Sequence, residues 1–134
     1  TLTDKGIFYT PGGLPRAERE LAATVASKIN GCIYCASVHA RKAAQLAKDE
    51  TAVETLLAVT PGEKLSDGQT PRWQALIDFA AAISVTPPAL DASHLAAVEQ
   101  QQLDTLAQLD LLQSAAFFAW ANRLMLTLGE PWQD

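Results

Sequence analysis

Cysteine is scarce in this chain: 134 residues carry two, Cys32 and Cys35. Two cysteines three positions apart do not frame a secreted disulfide scaffold. Aromatic residues are also few, 7% against 49% hydrophobic residues in all. Alanine and leucine therefore supply most of the apolar content, which favours close-packed helices over sheets. Basic residues are outnumbered, ten Lys and Arg against fifteen Asp and Glu, for a net charge of −5. Scattered cations in an acidic chain make no nucleic-acid footprint. No apolar run approaches the roughly 20 residues that span a bilayer, and no signal peptide is visible. Neither a nucleic acid nor a membrane is thus expected as a partner, and the expected location is cytoplasmic. The length fits one domain over 1–134 with a core that needs no staples. The chain opens at Thr1 rather than Met, the pattern of a piece trimmed at its N-terminus.

What is present is helical periodicity. Thr10-Pro11-Gly12-Gly13 is turn chemistry, and Pro15 suits the first turn of a helix. Leu14, Leu21, Val25 and Ile29 then recur at helical spacing. A second stripe, Glu20, Ala23, Thr24 and Ser27, is small apart from the glutamate, and small residues let another helix approach closely. This first helix is therefore expected to be buried on two sides. Asn30-Gly31 ends it, since both residues tolerate a left-handed cap. A second helix runs from about Cys32 to Lys48, with Cys32, Cys35, Ala36, His39, Ala43 and Leu46 on one face. Asp49 and Glu50 open a third helix through about Ala58, with Val53, Leu56 and Leu57 apolar. Thr60-Pro61-Gly62 begins a loop that runs to Gly68.

Thr70-Pro71 starts a fourth helix, with Trp73, Leu76, Ile77, Ala80 and Ile83 inward, and Pro87-Pro88 breaks it. Asp91 caps a fifth helix to about Gln102. The last runs from about Asp104 to Leu128 and stops at Gly129, with Pro131 beyond. Between Ser114 and Leu128 it is apolar nearly all round, through Phe117, Phe118, Trp120, Leu124, Met125 and Leu126. Such a helix is a central core element or is covered by another subunit. No strand pattern and no internal repeat is present. The expected fold is an all-α bundle of about six helices.

The chemistry centres on Cys32-Ile33-Tyr34-Cys35 and His39. Residues three apart on a helix are neighbours, so the two sulfurs can form a disulfide with little movement. His39 lies four residues after Cys35 and seven after Cys32, over the same face. Gly31 places Cys32 at the helix N-terminus, where the dipole favours thiolate over thiol. A thiolate attacks, a second thiol resolves, and an imidazole moves protons near neutral pH. The bland alternative is two small buried residues that happen to be cysteine. A zinc site using Cys32, Cys35, His39 and Glu20 is a further alternative. Zinc wants four ligands, and the other histidine, His94, falls in a different helix.

Glu20, one helix earlier, is placed to orient His39 or accept its proton. Glu18 competes for that role, although a first-turn carboxylate is favoured by the helix dipole alone. Arg123, in an apolar helix, is expected to form half of a buried ion pair with Glu20 or Glu18. A substrate-carboxylate role is its alternative. Trp73, Trp120, Phe117 and Phe118 read as core or subunit interface. His94 reads as a surface residue.

Arg19-Glu20-Leu21, Ser27-Lys28-Ile29-Asn30-Gly31-Cys32-Ile33-Tyr34-Cys35 and His39 together resemble the alkylhydroperoxidase AhpD-like family. This is the cysteine-bearing branch of the carboxymuconolactone decarboxylase superfamily. That family carries a Glu twelve residues before the first Cys of a CxxC and a His four after the second. Glu20, Cys32, Cys35 and His39 fall on those positions. The resemblance covers about residues 15–48; the helical remainder, including Asn122-Arg123, is compatible but weaker.

The resemblance implies an all-helical subunit that assembles into trimers or hexamers and works as a thiol peroxidase or disulfide reductase in an antioxidant role. It implies that Cys35 attacks a peroxide, that Cys32 resolves the product as a disulfide, and that Glu20 and His39 relay protons with water. The dipole argument points instead to Cys32 as the more acidic thiol. An external dithiol, of lipoyl or another type, would restore the pair, and no bound metal, flavin or other cofactor is implied. The best-characterised peroxidases of the family carry His immediately before the second Cys, and Tyr34 stands there here. The sequence therefore looks more like the peroxidase-related subgroup, which leaves the reductant open. The decarboxylase branch generally lacks the cysteine pair. A non-catalytic, redox-sensing oligomeric module is the competing reading.

Overall fold

A computed structural model describes residues 13–59, 63–85 and 89–128. Among these, every regular element is a helix. In chain order they are α1 (Arg16–Ile29), α2 (Ile33–Ala47), α3 (Glu50–Ala58), α4 (Pro71–Ser84), α5 (Ala92–Gln100) and α6 (Thr105–Leu128). The all-α, six-helix expectation therefore holds. The turn residues Thr10 to Gly12, Thr60-Pro61-Gly62, Pro87-Pro88, Gly129 and Pro131 lie outside the described residues.

Local chemistry explains the helix starts. Pro15 is the N-cap of α1 rather than its first helical residue. Asp49 caps α3 by accepting the Ala52 N–H, and Thr70 caps α4 by accepting the Trp73 N–H. Asp91 caps α5 in a reciprocal box, in which the His94 ring accepts the Asp91 N–H. Each cap satisfies an amide that the first helical turn leaves without a partner.

α1 is the central strut, buried from Glu18 to Ser27. It packs on α2, α6 and α4. Its leucine and valine stripe enters the main core with Leu76, Ile77, Phe79 and Leu111. Its small stripe makes room for α6: Ala23 and Ala26 form a separate cluster with Phe118. Both expected faces of α1 are thus covered, by different neighbours.

α6 divides by burial although its sequence does not divide by polarity. Ala107, Leu111, Ala115, Phe118 and Asn122 are buried. Leu106, Leu109, Trp120, Leu124 and Leu126 are exposed, Trp120 at 57%. In this single chain Trp120 is therefore not a core residue. Leu46 is exposed, because the inner face of α2 continues through Ala40 and Ala43. Leu57 is exposed as well, while Val53 and Leu56 point inward. Among the described residues no helix is long and apolar enough to cross a membrane.

Candidate functional site

The junction between α1 and α2 is a tight reversal. Asn30 stays in right-handed helical conformation and Gly31 takes the left-handed turn at φ +73°. The Gly31 N–H donates to the Lys28 carbonyl at 3.2 Å and the Cys32 N–H to the Ser27 carbonyl at 3.0 Å. This pair of bonds is the Schellman arrangement, which satisfies the last carbonyls of a helix. Its consequence is positional. Cys32 emerges as the N-cap of α2, held by its own backbone to the end of α1.

Cys35 follows in the first turn of α2. The Cα atoms of Cys32 and Cys35 are 5.4 Å apart and their sulfurs are within bonding reach. That separation suits a disulfide. Both cysteines are buried, Cys32 completely and Cys35 to 5% exposure. A recess of about 300 Å³ lies beside Cys32, lined by Ser27, Gly31, Cys32 and Leu57 among others and not by Cys35. A larger cleft of about 800 Å³ opens beyond Lys28, between Leu65 and His94, and touches neither cysteine.

His39 sits one turn beyond Cys35, with a side chain only 12% exposed. Its Nδ1 is 3.3 Å from Oε2 of Glu20, which is itself buried. In the tautomer that carries its proton on Nδ1, the ring would donate to that carboxylate and leave Nε2 as the acceptor. Phe118 of α6 meets the His39 ring edge-on, with centroids 4.2 Å apart. The imidazole is thus held between a carboxylate from α1 and an aromatic from α6.

The structure separates the two glutamates. Glu18 turns to the other side of α1 and holds Arg72 of α4 through two bonds of 2.8 Å. The same guanidinium donates to the Gln101 carbonyl at 3.2 Å. The bond to Glu18 raises the Arg72 pKa above its ordinary value, against the opposing effect of burial. The ion pair expected for Arg123 is not with either carboxylate. Arg123 is exposed and donates to the Ser84 carbonyl at 3.4 Å. Charge alone could not decide this, since both side chains are guanidinium cations and only packing brings one of them to Glu18. His94 is half-buried and engaged in the α5 cap. Among the described residues no group of three or more His, Cys, Asp or Glu is arranged to hold a metal ion.

Two contacts at the site were not expected from the sequence. One is Phe118, whose place on His39 depends on Ala23 and Ala26 being small. The other is a buried polar knot. The Asn122 amide donates to the Ser27 hydroxyl at 3.1 Å and accepts from the Asn30 amide at 3.4 Å. The one available signal was a lone asparagine in an otherwise apolar stretch of α6.

Solved structures share this architecture. One is described as the alkylhydroperoxidase AhpD core of an uncharacterized peroxidase-related protein from Ralstonia eutropha JMP134. It superposes with a TM-score of 0.80 at 22% identity, covering 94% of this chain and 64% of that one. Another, an uncharacterized peroxidase-related protein from Silicibacter sp. TM1040, gives 0.76 at 24% identity, with the same coverage of 94% and 64%. This chain thus spans about two thirds of the length of those proteins. No curated protein matches it significantly. The carboxymuconolactone decarboxylase family model matches residues 1–82, a span that includes Glu20, both cysteines and His39. With an AhpD-type helical fold and a family match over more than half its length, the chain belongs to the carboxymuconolactone decarboxylase family.

Proposed function

We propose that this protein is a two-cysteine thiol peroxidase that an external dithiol regenerates. The reading rests on one observation: a cysteine pair within disulfide reach, with a histidine one turn along whose Nδ1 is 3.3 Å from a buried carboxylate. In the proposed cycle Nε2 of His39 takes the Cys35 thiol proton, and the thiolate attacks the terminal peroxide oxygen. The O–O bond breaks, Cys35 becomes sulfenic, and the leaving alkoxide takes a proton supplied by His39. Cys32 then attacks the Cys35 sulfur, the S–O bond breaks, water leaves and the disulfide forms. An external dithiol of lipoyl or similar type exchanges with the disulfide and is itself oxidised. It returns two electrons and two protons to the pair. Glu20 orients His39 and balances its charge during the transfers.

The role is antioxidant, and a reducing compartment such as the cytoplasm suits a pair that must be re-reduced. The apolar outer face of α6, with Leu109, Trp120 and Leu124 exposed, supports assembly into a homo-oligomer, proposed as a trimer or hexamer. The test is peroxide consumption with excess dithiol by the parent, Cys35→Ser and Cys32→Ser proteins. Continuous turnover by the parent, loss in Cys35→Ser and slower turnover in Cys32→Ser, whose sulfenic acid only the external dithiol can reduce, are expected. Parent protein that oxidises once and then stops, despite excess dithiol, would make the chain a redox sensor instead.

A further inference from the structure

The buried knot at Asn122 lies between α6 and the last turn of α1, the turn from which Cys32 hangs. We infer that Asn122 is a positioning residue for the redox pair: through Ser27 and Asn30 it pins the α1–α2 reversal and so sets how readily Cys32 and Cys35 form their disulfide. The inference rests on the redox role of that pair, though not on peroxide as its oxidant.

The connection can be followed atom by atom. Asn122 is completely buried, so its amide must be satisfied by protein groups. Its Nδ2 donates to Ser27 Oγ at 3.1 Å, and Ser27 Oγ donates onward to the Ala23 carbonyl at 2.7 Å. Its Oδ1 accepts from Asn30 Nδ2 at 3.4 Å, and that amide also donates to the Ala26 carbonyl at 2.9 Å. The Ser27 carbonyl in turn receives the Cys32 N–H at 3.0 Å. One side chain of α6 thus holds both residues that bracket the final turn of α1. One more hydrogen bond reaches the backbone of Cys32.

The position of Asn122 on α6 strengthens the case. It lies one turn beyond Phe118, which meets His39. α6 therefore reaches the site at two successive turns, once at the imidazole and once at the cysteine reversal. An apolar residue at 122 would preserve packing, but it would leave the buried Ser27 and the half-buried Asn30 side chains with one partner fewer. Such a group costs stability unless it is re-satisfied, and the turn that carries Cys32 is the part able to shift. A shifted or looser turn lowers the effective concentration of one thiol near the other. The disulfide is then easier to reduce.

The experiment measures the equilibrium constant for disulfide formation against a dithiothreitol redox buffer. It compares the parent, Asn122→Ala, Ser27→Ala, the double variant and Leu111→Ala. Leu111 is a buried core residue of the same helix, outside the site, and it controls for lost stability alone. Asn122→Ala is expected to lower the constant about tenfold, or about 30 mV for a two-electron couple. Ser27→Ala, which retains the Ser27 carbonyl, is expected to lower it about threefold, and the double variant no further than Asn122→Ala, as for residues acting as one unit. Leu111→Ala should melt earlier with an unchanged constant.

Should Asn122→Ala fail to fold, Ser27→Ala carries the test. Constants within about twofold of the parent in the folded variants, or additive effects in the double variant, overturn the inference. Oxidation here is by the redox buffer alone. A shifted constant in a protein that never turns over peroxide would therefore sink the peroxidase reading and leave this one standing.

Discussion

His39 and Glu20, from neighbouring helices and nineteen residues apart in sequence, face each other across 3.3 Å between Nδ1 and Oε2. Glu20 belongs to a stripe that is otherwise alanine, threonine and serine, so the carboxylate is taken deep into the interior. Burial of a carboxylate is unfavourable unless a partner compensates, and His39 is that partner. Removing either member should impair proton handling. Glu20→Gln and His39→Ala are each expected to lower peroxide turnover about a hundredfold, a typical contribution of a positioned acid or base. The pH profile of thiol alkylation should move as well. Unchanged turnover and unchanged profiles in both variants would remove the relay from the mechanism.

Glu18 and Arg72 make a structural pair, and its two members are not equivalent. The glutamate side chain is 8% exposed and the arginine 38%. Loss of Arg72 leaves a buried carboxylate, whereas loss of Glu18 leaves a guanidinium that water can reach. Breaking a fully buried pair costs roughly 3–5 kcal/mol, and solvent screening reduces that here. Arg72→Met is expected to cost about 2–3 kcal/mol, and Glu18→Gln clearly less. Denaturant unfolding of both variants checks the order, and equal losses would contradict the asymmetry.

Gly31 supplies the left-handed turn before Cys32, at φ +73°. A Cβ there would meet no atom within 4 Å, so the penalty for alanine is conformational rather than steric. A left-handed L-residue costs roughly 1–2 kcal/mol. Gly31→Ala should therefore lose about that much stability and still fold. Gly31→Asn should lose less, since asparagine tolerates this region. Thermal melts of the two variants decide, and a much larger loss would mean that the site tolerates no side chain.

Asp91 caps α5, and its pKa lies below the ordinary carboxylate value, chiefly through the Ser93 hydroxyl and then the Ser93 and His94 amides. A folded-state pKa below the unfolded one gives stability that is present above the unfolded value and lost as pH falls through the folded one. The contribution should thus be flat from neutral pH down to the ordinary value of 3.8 and vanish below it. Asp91→Asn, which keeps an acceptor but no charge, should melt within a few degrees of the parent at pH 7 and show a shallower acid loss. Melting curves from pH 7 to about 2.5 test it, and parallel acid limbs in the two proteins would refute it.

Much of this molecule is determined by residue order alone. Helix boundaries follow from caps and from 3.6-residue periodicity, which are local, and the six helices lie where Thr70-Pro71, Asp91 and Asn30-Gly31 direct them. The disulfide-ready pair is equally local, because three residues on one helix bring two sulfurs together. Glu20, Cys32, Cys35 and His39 were recognisable as candidates because they fall on the offsets of the family they resemble. What the tertiary structure alone decided is which distant groups meet. Glu18 and Glu20 are two residues apart and chemically near-identical, yet one takes Arg72 and the other His39, because their side chains leave α1 toward different neighbours. Arg123 reaches neither glutamate for the same reason and donates to the Ser84 carbonyl. Phe118 reaches His39 from 79 residues away and Asn122 reaches Ser27 from 95, through an approach that only the small residues of α1 permit. Periodicity shows which face of a helix is buried; the packing of the whole bundle decides against what.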